Sequence, residues 1–331
     1  MAYHEADLGR VRTVPVTARR NKVDPSLLAA PPAGDRSFKA FLDSLPDVLA
    51  ARDLRAVVAG VARAARQRRG VVLLVGGHVI KVGLGPLIAA WLRQGIVTHV
   101  ALNGAAAIHD YELAAFGGTS EDVESGLADG TFGMAEETGA EMNAAIASAA
   151  DAGRGMGEGL ARALSERSRL PGGVCSVMLA ALRQDVPVTV HAAIGAEIIH
   201  QHPSTDGAAL GATSHRDFRR LAGSLPALDQ GGAVLNLGSA VVLPEVFLKA
   251  LTIARNLHAG APTHFLAADF DMQRHYRPRV NVVQRPTRAG GEGYLLTGHH
   301  ELMIPLLVWG VLGELGNGWE SPGSVDARVS S

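Results

Sequence analysis

Six times along this chain an apolar, β-branched run gives way to a loop of glycine, small residues, histidine and acids. The segments are 71–78, 96–112, 187–218, 233–239, 263–271 and 294–301. Ala-rich stretches with apolar residues at helical spacing lie between them. Short runs with no polar alternation suit strands buried on both faces, and parallel strands need crossover helices to return the chain. The alternation predicts an α/β fold: a Rossmann-like, mainly parallel open sheet with helices on both faces. Ligands of such sheets bind where strands end and loops begin, so six loops of this kind imply one shared site along one edge.

The strands are expected at Gly70–Val75, Ile96–Leu102, Val186–His191, Ala233–Leu237, Thr263–Ala268 and Val280–Val283. Helices are expected over 37–69, 85–94, 110–116, 135–151, 157–168, 176–184, 218–225, 243–256 and 302–315. Residues 1–35, which include the loop-like run Ala29–Asp35, read as an N-terminal arm packing on a neighbouring subunit. Residues 36–315 read as a single domain, and 316–331 as a flexible tail of Gly, Ser and charge.

With 331 residues and 47% hydrophobic content, the chain can bury a large core. A formal net charge of −1 favours neither nucleic acid nor an anionic membrane surface. The basic cluster Arg63, Arg66, Arg68 and Arg69 reads as a solvated helix end before a strand. The one cysteine, Cys175, permits no intrachain disulfide. No apolar run approaches the ~20 residues of a membrane span, and the first residues carry no secretory h-region. A cytoplasmic protein is the expectation.

Each loop admits chemistry and a plainer reading. Gly76-Gly77-His78, with Gly83 and Gly85, could let a backbone approach a phosphate, or could simply turn the chain; its spacing matches neither G-x-G-x-x-G nor a Walker motif. After Asn103 and Gly104 come His109, Asp110 and Glu112, which could hold ribose hydroxyls or a cationic substrate, or charge the first turn of a helix. Ser120, Glu121 and Asp122 look like a helix start. Glu136 and Glu137 open another helix after a glycine turn. His200-x-His202 with Asp206 could ligate a metal, but no third ligand stands at fixed spacing, so hydrogen bonding to a polar ligand is the stronger expectation. His299, His300 and Glu301 sit at a strand-to-helix junction, poised for acid–base work or ligand contacts.

Taken in order, these loops resemble the deoxyhypusine synthase family over roughly 70–310. Gly76–Gly83 looks like that family's first nucleotide turn. Asn103–Asp110 resembles its small-residue loop followed by acids. His202-Pro203-Ser204-Thr205-Asp206-Gly207 is similar to its proline…Thr-Asp-Gly loop, the most specific of the matches. Leu237-Gly238-Ser239 resembles its glycine-rich turn, Asp269-Phe270-Asp271 its acid-bearing turn, and His299–Leu307 its Asp-Ala-Ser segment with the apolar helix start that follows. The resemblance implies a Rossmann-like fold binding NAD, a homotetramer, and oxidation of a polyamine whose aminobutyl group is trapped on a lysine.

The chain departs from that pattern at the nucleophile. The family's lysine stands in a Trp-Gly-Lys segment, yet the corresponding Thr287–Thr297 contains none; the only lysines are Lys22, Lys39, Lys81 and Lys249. His78, His299 and His300 also stand where the family has Asn or small and acidic residues. A divergent relative is implied, with noncovalent chemistry like that of the related archaeal-type ornithine cyclodeaminase domains, which remove ammonia by transient hydride transfer.

The expected function is therefore an NAD-dependent enzyme, of transferase or ammonia-lyase type, acting on an amine or amino acid without a lysine imine. The expected catalytic residues are His299, His300, Glu301 and Asp206. Gly77, His78, Asn103, Gly104, Asp110, Gly238, Ser239 and Asp271 would hold NAD, and Glu137, His200 and His202 the substrate; no metal is expected. The alternatives are a metal-dependent lyase or hydrolase, and a catalytically silent NAD-binding oligomer.

Overall fold

A computed structural model describes residues 3–32, 34–316 and 318–319. Most of the expected 316–331 tail lies outside the described residues. The strands are β1 (Val71–Val75), β2 (His99–Asn103), β3 (Val188–His191), β4 (Ala233–Leu237), β5 (Leu266–Asp271) and β6 (Glu292–Thr297). They form one sheet in the order β3-β2-β1-β4-β5-β6. Every neighbouring pair is parallel. The chain lays strands outward from β1 to β3, then crosses back to place β4 against β1. The loops after β1 and β4 thus leave in opposite directions at the sheet's centre, which is where a crevice can open.

Helices α1 (Phe38–Ser44) and α2 (Leu49–Arg66) precede the sheet. Helices α3 (Gly77–Lys81) and α4 (Gly85–Arg93) follow β1. After β2 come α5 (Gly104–Phe116), α6 (Val123–Asp129), α7 (Glu136–Asp151), α8 (Met156–Glu166) and α9 (Val177–Arg183). Helix α10 (Gly207–Ser224) follows β3, α11 (Val242–Leu257) follows β4, the single turn α12 (Arg285–Thr287) precedes β6, and α13 (His300–Leu315) follows it.

Because side chains alternate across a strand, each strand feeds two cores. Leu73, Val75, Leu102, Val190, Leu235 and Phe270 pack on one face with α2, α4, α5 and α13. Val72, Leu74, Ala101, Val234 and Ala267 pack on the other with the last turns of α10 and with α11. The arm of residues 3–32 contributes three short 3₁₀ turns, at Leu8–Arg10, Val16–Ala18 and Pro25–Leu27, and buries none of their residues.

One strand expectation is corrected. Val280–Val283 lies in a π-helical stretch, Pro278–Gln284, and the last strand is Glu292–Thr297. The apolar run misleads because Val280, Asn281, Val282 and Val283 are all buried, as a two-sided strand would be. The wide π turn, with its i to i+5 bonding, gives the same continuous burial. Two prolines, Pro278 and Pro286, also bracket the segment and lack the N–H a ladder needs.

β3 ends the sheet, and its free edge is covered by side chains. The Asp217 carboxylate on α10 accepts from Val190 N at 2.9 Å and from Gly157 N, at the start of α8, at 2.8 Å. Ser214 Oγ accepts from Ala192 N at 3.0 Å and donates to the Val190 carbonyl at 3.2 Å. Asp217 thus closes an edge that would otherwise present unpaired amides. Asp217→Ala leaves two buried N–H groups unpaired, so a loss of about 2–4 kcal/mol is expected. Urea unfolding checks it: the midpoint should fall with an unchanged slope, and Asp217→Asn, which keeps an acceptor, should lose less.

Candidate functional site at the carboxyl edge of the sheet

The turns after β1 and β4 touch at the centre of the edge. A Cβ on Gly76 would lie 2.1 Å from the Gly238 carbonyl oxygen, so only glycine permits this approach. Gly238 adopts φ of +66°, and a Cβ there would meet the His300 ring at 2.8 Å. This closeness sets His78, in the first turn of α3, beside His300, in the first turn of α13: their Nδ1 atoms are 3.0 Å apart. One of the two must donate and the other accept, so the pair shares one proton. His300 is 1% exposed, and its Nε2 is buried without a hydrogen-bond partner. Burial lowers its pKa; the nearby Asp271 carboxylate opposes that shift and His78 reinforces it.

Below this pair, a second polar group faces α11. Asn236 Nδ2 donates to Asp269 Oδ1 at 2.7 Å and to the Ser239 carbonyl at 3.0 Å. Burial pushes the Asp269 carboxyl up to about 7, with the Asp271 charge adding to the rise and the Asn236 amide opposing it. Asp271 ends β5, and its Oδ1 lies 3.9 Å from His275 Nε2.

Beside the edge, a cavity of about 240 Å³ opens between α3, α5 and the loop after β3. Lys81, His109, Glu112, Glu121 and Glu197 reach its wall, with Ile108 and Phe132 supplying apolar surface. Glu197 sits over Gly104 so closely that a Cβ there would meet its carboxyl at 2.3 Å. Its Oε1 accepts from Ala193 N at 3.0 Å. Its Oε2 lies 3.1 Å from His200 Nδ1 but forms no hydrogen bond, because that nitrogen already accepts from Gly195 N. Burial raises the Glu197 pKa and lowers that of His200.

Of the residues singled out in the sequence, His78, Gly238, Asp271 and His300 come together at the centre of the edge. His299 and Glu301 stand at its rim, largely exposed, with Nδ1 and Oε1 3.7 Å apart. Gly77 and Gly104 are buried, Gly77 against Ala105 and Gly104 under Glu197. Several polar residues are engaged as helix caps. Asn103 accepts from Ala106 N, and Ser239 from Leu243 N. The exposed Asp206 accepts from Ala208 N and Ala209 N. The buried Asp110 carboxylate accepts from Ser176 Oγ, Val177 N and Met178 N, which fixes the start of α9. Glu137 is exposed in the first turn of α7, while His202 packs over Gly139 and pairs with Ser204. His200, His202 and Asp206 do not converge. Among the described residues no group of three or more His, Cys, Asp or Glu is arranged to hold a metal ion.

Sequence reasoning did not single out Glu197, Asn236 or Asp269 as site residues. The signal for Glu197 and Asn236 is a polar residue inside an apolar run, Glu197 before Ile198-Ile199 and Asn236 between Leu235 and Leu237, while Asp269 stands in the acid-bearing turn Asp269-Phe270-Asp271.

No family model matches the chain, and no curated protein matches it. Solved structures do. Unliganded AgrE is 18% identical with a TM-score of 0.50, over 80% of this chain and 33% of that one. The ternary complex of AgrE with ornithine and NAD+ is 17% identical, TM-score 0.49, over 81% and 34%. A protein of Entamoeba histolytica assigned as a deoxyhypusine synthase is 10% identical, TM-score 0.46, over 83% and 92%. The chain spans about a third of the AgrE chains. The likeness to AgrE is one of fold.

Asp269 gives this edge a pH signature. Its carboxyl titrates at about 7 in the folded chain against an ordinary 3.8. The protonated form is the one the fold favours, so its stabilising contribution is present at low pH and lost as pH rises from about 4 through 7. Asp269→Asn keeps an acceptor for Asn236 and removes that loss. At pH 8 the variant should be more stable than the parent by up to a few kcal/mol, at about 1.4 per pKa unit, and the gap should narrow as pH falls and close only below the ordinary carboxyl value of 3.8. Urea midpoints across that pH range check this; a variant less stable at pH 8 contradicts it.

Proposed function

We propose that this protein is an NAD-dependent enzyme of transferase or ammonia-lyase type, which acts on an amine or amino acid by transient hydride transfer without a lysine imine. The observation that carries the reading is the cavity beside the sheet edge. It places the Lys81 ammonium and the buried Glu197 carboxyl, with its unpartnered Oε2, on the wall of one space of about 240 Å³. That volume suits an amino acid and is too small for a dinucleotide. Lys81 would hold a carboxylate, and Glu197 an ammonium.

NAD would lie at the centre of the edge, not on the turn after β1, and would have to part the contact between His78 and His300 to enter. Gly76 and Gly77 are taken up by contacts within the chain. Two buried polar atoms at the switch point, His300 Nε2 and Asn236 Oδ1, have no partner, as expected where a polar ligand completes the site. Gly238, Asp271, His78 and His299 would hold the cofactor there, with Ser239 and Asn103 keeping the turns in shape. When bound, NAD supplies a hydride acceptor that can return what it takes. His300 would share one proton with His78 between their Nδ1 atoms and so orient that ring. Asp206, Glu301, Glu137 and His202 lie outside the cavity wall, and a partner subunit would have to bring them into play.

The segment that would carry a catalytic lysine, Thr287–Thr297, runs from α12 into β6 and contains no ε-amine. Lys81 does reach the cavity, so borohydride trapping in the presence of spermidine or ornithine is the decisive control; a stable adduct on Lys81 would overturn the noncovalent route. NAD at millimolar concentration should raise the melting temperature. Glu197→Gln should weaken ornithine binding about 10–100-fold, the worth of one charge-assisted hydrogen bond of about 1.5–3 kcal/mol. Calorimetry reads both: no heat with either ligand rejects the reading.

We also propose a homotetramer in the cytoplasm. Apolar side chains stand exposed on the arm, with Leu8 77% and Val14 72% exposed, and on α13, with Leu302 63% and Trp309 58%, the latter partly against Phe38. A helix apolar on all sides is normally buried. Among the described residues no helix is long and apolar enough to cross a membrane. Light scattering should give about four times the chain mass of 34.5 kDa; the mass of one chain would reject the assembly.

A further inference from the structure

A relay of three side chains on and beside α5 is left unused by the reading above. Thr119 Oγ1 donates to Glu112 Oε2, while Thr138 Oγ1 donates to Glu112 Oε1 at 2.9 Å. His109 Nδ1 lies 2.7 Å from the same Thr119 oxygen. A threonine hydroxyl has one proton, and a carboxylate can only accept. With that proton given to Glu112, the Thr119 oxygen must accept from His109. The proton of a neutral His109 therefore sits on Nδ1, and Nε2 keeps its lone pair. No side chain or backbone donor of the described residues bonds to that Nε2, and His109 lines the cavity.

We infer that His109 is the proton-accepting base of the cavity, with Thr119 and Glu112 as positioning residues that fix its tautomer. The inference rests on the proposed function for its ligand, a cationic amine or amino acid. An ammonium has no lone pair; before its nitrogen or the adjacent carbon can react, one N–H proton must leave. That proton passes to Nε2, the N–H bond breaks as the Nε2–H bond forms, and no oxidant is needed. The imidazolium then keeps its Nδ1–H on Thr119, and Glu112 balances the charge through the hydroxyl. Return of the proton to product or water resets the ring.

The groups around His109 suit this role. Lys81 comes from α3, Glu121 from the loop after α5 and Glu197 from the loop after β3, and all three share the cavity wall with His109 and Glu112. Burial, reinforced by the Lys81 charge, holds the His109 pKa below the ordinary imidazole value, so the ring is unprotonated at neutral pH. Thr138 fixes Glu112 from α7, so the relay is held from two helices and a loop. Neither Glu112 nor Thr119 lies at the centre of the sheet edge, and the His78–His300 pair can fail without disturbing them.

Long-range nitrogen–proton NMR of the full-length protein decides the tautomer, with His109→Gln assigning the signal. In the parent and in Thr119→Ser, His109 should carry its proton on Nδ1. In Thr119→Val it should revert to the Nε2–H form that free imidazole prefers. Acylation by diethylpyrocarbonate, read by mass spectrometry of the His109 peptide, should persist at pH 6 in the parent and fall several-fold in Thr119→Val, because the bare Nε2 is lost. A parent ring protonated on Nε2, or a reactivity that ignores Thr119→Val, overturns the inference. Ornithine calorimetry is a separate arm: failure of ornithine to bind rejects the amino-acid reading, whereas the tautomer and the acylation rate decide the base. Should ornithine bind and leave the His109 peptide unprotected from acylation, His109 does not meet the ligand and the inference falls.

Discussion

The contact between the β1 and β4 turns sets the geometry of everything at the carboxyl edge. A parallel sheet built outward in two directions from its middle leaves a seam there, and its width depends on what the two turns carry. Here they carry Gly76 and Gly238, close enough that a methyl on the first would collide with the carbonyl of the second. The seam is thereby narrow. His78 and His300, which enter it from helices following β1 and β6, meet at Nδ1 instead of flanking an open crevice. Open volume appears one step to the side, where α5 leaves β2 and the long loop after β3 folds back over it.

The polar groups inside the sheet follow from the same two-core construction. A strand buried on both faces has no solvent side on which to place a polar residue, so each one present needs an internal partner. On the α10 and α11 face, His99, Thr189 and His191 form a chain with Ser224, at spacings of 2.8, 2.9 and 3.0 Å. Burial drives both His99 and His191 down to about 3, so both stay neutral in the folded chain. Their effect on stability runs opposite to that of Asp217 and Asp269. As pH falls through about 6.5, the unfolded chain gains protons on the two histidines and folding is disfavoured. Over the same fall the two buried acids favour folding, since the folded chain holds their protons first. The opposed pairs flatten the pH dependence of stability below neutrality.

Much of the fold was legible because strand burial is a composition signal: Val71–Val75 and Ala233–Leu237 could hardly be anything else. Val280–Val283 shows the limit, since continuous burial is shared by a two-sided strand and a π turn wedged against one. The site was legible at the level of loops and much less so at the level of atoms. Glycine in a turn can face a ligand or another backbone, and sequence does not distinguish them; Gly76, Gly77 and Gly104 face protein. An acid at a helix start can bind a substrate or cap a helix. Asp110 does neither for its own helix: it caps α9, 66 residues away from it at Ser176, a partnership that no local pattern encodes.

The histidines are where local pattern and chemistry separate most clearly. His200-x-His202 and His299-His300 draw the eye because they are adjacent, yet adjacency places two rings on different sides of the backbone. In the structure His200 turns toward Glu197, His202 packs over Gly139, His299 is solvated and His300 is buried. What makes an imidazole useful is the group that fixes its second nitrogen. For His300 that group is another imidazole, which leaves the shared proton free to sit on either ring. For His109 it is a hydroxyl already committed to a carboxylate, which leaves one arrangement. The less conspicuous histidine is therefore the better-defined base, and its definition comes from Thr119, ten residues on, after the helix has ended at Gly117 in a left-handed turn and brought the loop back alongside it.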